Sequence, residues 1–290
     1  MTNSNYLFVL GASDPEMAAI ENLLRNCGQA FVYALQDDGQ RVHPGSAYRH
    51  CRPSSKEISL AIYGEPDWDI TDINLAYVEC GNPAHLATGD IRIDHHRPGD
   101  PGYGQPPSEY WEASSLGQVY ELLTLKDFYV EGRQLGIDNF PQNWGELKMV
   151  AAADHCLAAA YKDQCPEVDP QALRAWRIKS RAEFQGRSEL EILADVERAE
   201  AALKSAPRIE IGGAEIADLR GPVIPELPEA ATYLGLGYLA EVADRDGRRK
   251  IVISAGENTL REFMGSWASA QGLTDIYGDP VRGFAGGYVQ

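Results

Sequence analysis

The segment Ile91-Arg92-Ile93-Asp94-His95-His96-Arg97-Pro98 sets an acid and two imidazoles directly behind a short apolar run, and a stretch rich in Pro and Gly follows from Pro98 to Pro107. Such a run reads as a strand that delivers three possible ligands to its carboxyl end, where crevices form in open α/β sheets. Two adjacent imidazoles leave a strand in different directions, so one faces a given ion and the other serves a substrate or an outer hydrogen bond. Acids recur in comparable places: Asp14-Pro15-Glu16 behind the first apolar run, Glu79 directly behind another, and Asp154-His155 inside the apolar stretch Met149 to Tyr161. Carboxylates at separate strand ends, and an acid held in an apolar helix, are costly unless their charge is compensated, and a hard divalent cation compensates it. Each segment alone has a plainer role, Ser13 to Glu16 as a capping box, Glu79 as a turn residue, Asp154 and His155 as a satisfied buried pair. Their recurrence at four strand or helix positions favours a common site.

Periodicity supplies the elements that must position these residues. Tyr6 to Leu10, Ile58 to Ile62, Leu75 to Val78 and Ile91 to Ile93 read as strands, and Met17 to Arg25 reads as a helix with Met17, Ile20, Leu23 and Leu24 on its apolar face. Strands alternating with helices predict a parallel sheet covered on both faces. Glu112 to Leu123 predicts one further helix, and Leu147 to Tyr161 another that is apolar nearly all round and therefore buried. Asp169-Pro170 is a helix start, and Ser188 to Glu191 is a capping box opening a helix that runs to Lys204. Past Pro207, the runs Arg208 to Ile211 and Glu215 to Leu219 flank Gly212-Gly213, while Leu239 to Val242 and Lys250 to Ser254 flank Asp246-Gly247. Both pairs predict hairpins. The expected organisation is an α/β, parallel-sheet N-terminal domain over residues 1–165, a helical connector over 166–206, and a smaller α+β C-terminal domain over 207–290.

A length of 290 residues suits two domains, and 44% hydrophobic with 24% charged residues excludes fibrous and intrinsically disordered classes. With 26 Lys and Arg against 43 Asp and Glu the net charge is −17, so binding to a long nucleic acid is not expected. Cys27, Cys51, Cys80, Cys156 and Cys165 are scattered without a CxxC pair, which points to reduced thiols in a cytoplasm rather than to a disulfide framework or thiolate zinc. The first residues carry no basic region and only a short apolar run, and no window approaches ~20 apolar residues, so neither a signal peptide nor a membrane partner is expected. Val9 to Ser13 opens like a dinucleotide-binding turn but lacks the later glycines. Cys156 reads as an inert core thiol, Gly235-Leu236-Gly237 as close packing in a helix, and Arg248-Arg249-Lys250 as a solvated tip.

The acid and histidine segments, in this order, resemble the DHH phosphoesterase superfamily, whose name-giving triplet stands here as Asp94-His95-His96. That superfamily's first motif corresponds to Asp14-Pro15-Glu16, its second to Glu79 in Tyr77-Val78-Glu79-Cys80-Gly81, its later helix start to Ala113-Ser114-Ser115, and its fourth motif to Asp154 in Ala151-Ala152-Ala153-Asp154. The strand Ile251 to Ser254 and the segment Arg282-Gly283-Phe284-Ala285-Gly286-Gly287-Tyr288 are similar to its associated C-terminal domain. The resemblance implies divalent metal, usually manganese, with Asp14 on one ion, Glu79 bridging, and Glu16, His95 and Asp154 on the other. It implies Asp94 and His96 orienting ligands or contacting the phosphate, and Arg282, Gly286 and Gly287 at the substrate. The activity implied is hydrolysis of a phosphoester in a small nucleotide, dinucleotide or short oligonucleotide by a metal-activated water, with self-association left open. Three positions depart from the pattern: Leu10 stands where a His is usual, Glu16 and Glu79 replace Asp, and Phe284 and Tyr288 lie where the glycine segment commonly carries a His. Those departures leave open a single ion, a different ligand such as His155 or His85, a relative that binds a nucleotide or metal without turnover, and a pyrophosphatase-type hydrolase.

Overall fold

The apolar run Tyr6–Leu10 forms β1, followed by α1 (Pro15–Asn26), β2 (Phe31–Tyr33), α2 (Ser55–Tyr63), β3 (Asn74–Val78) and β4 (Ile91–Ile93). In this computed structural model the described residues are 6–49, 53–65, 73–81, 86–124, 129–130, 133–134, 143–244 and 246–290. The four strands pair in parallel in the order β2-β1-β3-β4. Leu7, Phe8, Val9, Leu10, Leu75, Ala76 and Val78 are fully buried, which is why β1 and β3 read as continuous apolar runs rather than alternating ones. The chain leaves β1 toward β2 on one side and reaches β3 on the other. The carboxyl ends of β1 and β3 therefore flank the point where strand order reverses.

The run Ile58 to Ile62, expected as a strand, lies in α2 instead. Ser54 accepts from the Glu57 amide, and the Glu57 side chain accepts in turn from the Ser54 amide, a complete capping box. Four apolar residues around Ser59 do not distinguish strand from buried helix by periodicity, and here the cap decides. Ile58 packs with Leu7, Val9, Leu75 and Tyr77, and the second strand is the half-buried run Phe31–Tyr33.

A 3₁₀ turn at Pro107–Glu109 leads into α3 (Tyr110–Ala113) and α4 (Ser115–Thr124). The helix expected over Glu112 to Leu123 is thus broken at Ser114, whose ψ is 151°. Ser114 Oγ donates back to Trp111 O and accepts from Gly117 N, so it starts α4 afresh. The two-residue strands β5 (Tyr129–Val130) and β6 (Arg133–Gln134) pair antiparallel, and α5 (Trp144–Ala160) follows. Burial along α5 is uneven: Leu147, Val150, Ala151, Ala152 and Ala160 are buried, whereas Ala158 is exposed and Asp154 is partly open to solvent. The helix is interrupted at Cys156, with φ −152° and ψ 44°.

The remaining elements are α6 (Pro170–Gln185), α7 (Glu189–Ser205), β7 (Arg208–Ile211), β8 (Ala214–Leu219), α8 (Leu227–Leu234), β9 (Tyr238–Ala243) and β10 (Arg249–Ser254). After them come α9 (Glu257–Glu262), a π-helical turn at Phe263–Trp267, α10 (Ala268–Ala270), β11 (Leu273–Asp279) and β12 (Phe284–Val289). The sheet order is β11-β12-β10-β9-β8-β7, antiparallel except for β8 beside β9. Both hairpins form, the first turning through Gly212 at φ 59° and Gly213 at φ 77°. Gly235, expected within a helix, instead ends α8 with φ 64°.

The chain divides into two compact units, Met1–Leu173 and Arg174–Gln290. Helix α7, expected as connector, is a layer of the second unit: Ile192, Val196, Ala199 and Leu203 pack with Ala217, Tyr238 and Ala240. On the sheet's other face Leu260 and Phe263 pack with Leu239, Ile251, Ile253 and Ala285. Among the described residues, no helix is long and apolar enough to cross a membrane.

Candidate metal centre

The ends of β1, β3 and β4 meet because Gly11 lets two of them touch. Its amide donates to Val78 O at 2.9 Å, and a Cβ there would come within 2.5 Å of Glu79 O. Three residues on, Asp14 caps α1 by accepting from Met17 N at 2.7 Å, and Pro15 opens the helix. Glu16 is buried in the first turn, where Oε1 accepts from Leu116 N at 2.9 Å. That amide is available because the break at Ser114 makes Leu116 part of a new helix start. Glu79 leaves β3 with φ 50°, a left-handed conformation unusual for a side chain with a Cβ, and its amide donates to Ile93 O at 3.0 Å.

Asp94 is fully buried and accepts from His95 N (2.8 Å), His96 N (3.0 Å), His96 Nδ1 (2.9 Å), Arg92 Nη2 (3.1 Å) and Tyr48 Oη (3.3 Å). Burial opposes its charge, but the His96 ring and amide and the Arg92 guanidinium prevail and hold the carboxyl well below its usual range. Arg92 also reaches Asp100 at 2.6 Å, and Gln118 Nε2 donates to Asp94 O. Asp94 therefore fixes the loop and orients His96.

His95 occupies the centre. Its Nε2 lies 2.8 Å from Asp154 Oδ2, 3.6 Å from Glu16 Oε2 and 3.7 Å from Glu79 Oε1. The short approach to Asp154 is not aligned along the ring's N–H direction, and His95 Nε2, Glu16 Oε2 and Glu79 Oε1 are all buried without a hydrogen-bond partner. Three such atoms from two carboxylates and one imidazole, facing each other, suit a divalent cation with mixed oxygen and nitrogen ligands. Glu79, His95, His96 and Asp154 each offer a ligand atom, and these four atoms lie within 4.8 Å of one another. The Glu16 and Glu79 side chains are 0% and 5% exposed against 26% for Asp154, so the centre has a closed floor and opens at Asp154.

The opposite edge of His95 is fixed too. Its Nδ1 is 3.1 Å from His155 Nδ1, and His155 Nε2 is 3.1 Å from Gln105 O. A carbonyl only accepts, so His155 Nε2 carries the proton there. Burial and the neighbouring His95 hold the His155 pKa below its usual value, leaving its Nδ1 as the acceptor. The proton between the rings then belongs to His95 Nδ1, which turns Nε2 toward the carboxylates.

The acids titrate against each other. Burial, then the charges of Glu79 and Asp154, push Asp14 up to about 7, and burial with the Asp154 charge lifts Glu16 well above the carboxylate range. Asp154 moves the other way: burial opposes its charge, but its contact with His95 brings it down to about 2. His95 is raised despite burial, through Asp154, Glu16 and Glu79. A proton on His95 thus occupies the role that a cation would take.

No protein-family model and no curated protein matches this chain. Its site is therefore read from geometry alone. Glu16, Glu79, His95, His96 and Asp154 come together, with Asp14 at their edge, and Asp94 lies beneath them. Leu10 is a fully buried core residue at the end of β1. Arg282, Gly286 and Gly287 belong to the second unit, Arg282 exposed ahead of β12 and the two glycines buried within it. A Cβ on Gly286 would meet Tyr277 Oη at 2.7 Å, so close packing already requires that glycine. His85 and Cys51 lie outside the described residues. Sequence reasoning missed Tyr48, Gln118 and the Leu116 amide, which act across 46, 24 and 100 positions and leave no local signal. Arg92 had one, a charged residue between two apolar ones in a strand.

Proposed function

We propose that this chain is a metal-dependent phosphoesterase of the DHH kind, hydrolysing a phosphoester in a small nucleotide, dinucleotide or short oligonucleotide. The observation that supports this reading is the convergence of the partnerless atoms of Glu16, Glu79 and His95 where β1, β3 and β4 end. Glu16, Glu79, His95 and Asp154 would hold the ion, for which we propose manganese, and Asp14 stands beside them. When bound, a divalent ion there supplies positive charge for phosphoryl oxygens and a water of lowered pKa. His96 keeps Nδ1 on Asp94, which leaves its other nitrogen to donate to a phosphoryl or leaving-group oxygen. The five acids at the site do not forbid an anionic substrate, because an ion is the largest local charge in such a site.

A panel of pyrophosphate, a nucleoside bisphosphate, linear and cyclic dinucleotides and short single strands, each with and without manganese, tests the proposal. Turnover of one nucleotide class is expected with manganese, and His95→Ala and Asp154→Ala are expected to abolish it while amide protection in β1 and β3 persists. Unchanged turnover in both variants would remove the mechanism. Leu10, a core residue where the superfamily places a His ligand, favours a second reading, a binding protein without catalysis. Manganese and nucleotide binding with no hydrolysis across the panel would select it.

A further inference from the structure

Outside the carboxylate cluster, two thiols face each other: Cys156 and Cys165, Sγ to Sγ 2.9 Å. Both are free thiols, Cys165 buried and Cys156 half-buried. Contacts that involve neither sulfur hold the pair together. Cys156 sits at the interruption of α5, off the helical path. The returning chain is turned by Asp163 at φ 59° and Glu167 at φ 62°, on either side of Cys165. It is then pinned by Tyr110 Oη donating to Pro166 O at 3.1 Å and by Lys148 Nζ on Glu167 at 2.6 Å. The separation exceeds a disulfide bond by only about 0.9 Å, so closure asks for a local shift rather than unfolding.

We propose that Cys156 and Cys165 form an oxidisable dithiol that a peroxide closes to a disulfide. The sulfur of Cys156, the more exposed, attacks one peroxide oxygen. The O–O bond breaks, Cys156 becomes a sulfenic acid and one water leaves. Cys165 then attacks the Cys156 sulfur, the S–O bond breaks, the S–S bond forms and a second water leaves. Two thiols are oxidised by two electrons and the peroxide is reduced to two waters. Cys156 directly follows Asp154 and His155, and metal sites tolerate errors of only about 0.5 Å. On the metal reading proposed above, closure therefore weakens manganese binding about 10-fold or more.

The test uses the full chain, reduced and then exposed to hydrogen peroxide, with remaining thiols alkylated before peptide mapping. One linked pair joining Cys156 to Cys165, reversed by a dithiol reductant, is expected. Cys165→Ser should stop at a Cys156 sulfenic acid trapped by a 1,3-dione, and Cys156→Ser should form no disulfide. Both thiols still alkylated, or either joined to another cysteine, would overturn the proposal. Manganese titration of the reduced and oxidised protein separates the two readings. Equal affinity in both overturns the coupling to the metal centre, and no binding by the reduced protein overturns the metal reading while the peptide map still decides the disulfide.

Discussion

Asp14→Asn removes one charge from the acidic cluster with little change of shape. Asn caps a helix about as well as Asp, so the hydrogen bond from Met17 N is retained. The Asp14 carboxyl is displaced from 3.8 up to about 7, by burial first and then by Glu79 and Asp154. A rise from 3.8 to about 7 corresponds to about 4 kcal/mol. In the unfolded chain Asp14 ionises near its usual value, and in the folded chain only near about 7. Between those values the unfolded state has released a proton that the folded state still binds, so stability is full below the lower value and falls until the upper one is passed. Glu16 is displaced in the same direction and adds to the fall. In the presence of a chelator, Asp14→Asn is therefore expected to exceed the parent in stability by up to about 4 kcal/mol at about pH 8, and to match it at about pH 4. Manganese narrows the gap: at about 100 times its dissociation constant an ion adds about 2.7 kcal/mol to the parent, and less to the variant, which binds it more weakly. Amide protection of β1 and α1 in urea, with chelator or manganese, reads both effects locally. A variant no more stable than the parent at alkaline pH with chelator, or a parent equally stable at both pH values, would show that these acids do not repel one another in the fold.

Substitutions at three further positions probe neighbouring parts of the centre. Glu16→Gln keeps an oxygen for Leu116 N but loses a ligand charge, so it should fold like the parent and lose most manganese binding by calorimetry; parent-like stoichiometry and affinity would exclude Glu16 as a ligand. His155→Asn can still donate to Gln105 O and accept from His95 Nδ1, whereas His155→Leu can do neither, so the Leu variant should bind manganese about 10–100-fold more weakly and the Asn variant within a few-fold of the parent. Nitrogen-15 shifts of His95 should move with the Leu variant alone, and equal affinities for the two variants would reduce His155 to packing. Gly11→Ala drives a Cβ into Glu79 O, 2.5 Å away, and should cost about 1–3 kcal/mol in thermal unfolding together with manganese affinity; a parent-like melting temperature would mean that the β1 and β3 exits are not held in contact.

The physical reasons for what the sequence reveals differ from element to element. Strands β1 and β3 were legible because a parallel sheet buries both faces and leaves a near-continuous apolar run, and β4 was legible from Ile91 and Ile93 flanking Arg92. The acids behind them were legible for the same reason, since an ionisable residue ending such a run stands out. Helix α2 was not, because so short a run as Ile58 to Ile62 fits either period, and the information lay in the Ser54–Glu57 cap just ahead of it. The break at Ser114 is passed over when Glu112 to Leu123 is read as one helix, although Ser114 is a cap former and the resemblance sets a helix start at Ala113-Ser114-Ser115; that break is what presents the Leu116 amide to Glu16. Cys156 read as inert core from its apolar neighbours. Only the fold, by returning Cys165 to within 2.9 Å, gives it a partner.

The two glutamates that replace aspartates in the resemblance reach one nitrogen from different elements. Glu16 arrives from α1 and Glu79 from the left-handed exit of β3, yet their nearer oxygens stand 3.6 Å and 3.7 Å from His95 Nε2. An extra methylene displaces a carboxylate, but both displacements here end at nearly the same distance from the same atom, so the longer side chains preserve convergence. The backbone absorbs the difference: a non-glycine residue at φ 50° persists only where its surroundings hold it, and here the Glu79 amide on Ile93 O and the contact with Gly11 do so. Strain at Glu79, unpaired oxygens on Glu16 and Glu79, and Asp14 ionising only near about 7 all place unfavourable energy at one point of the sheet end. A positive charge at that point would relieve the last two at once, and His95 can supply it only by holding a proton on the nitrogen that a cation would need.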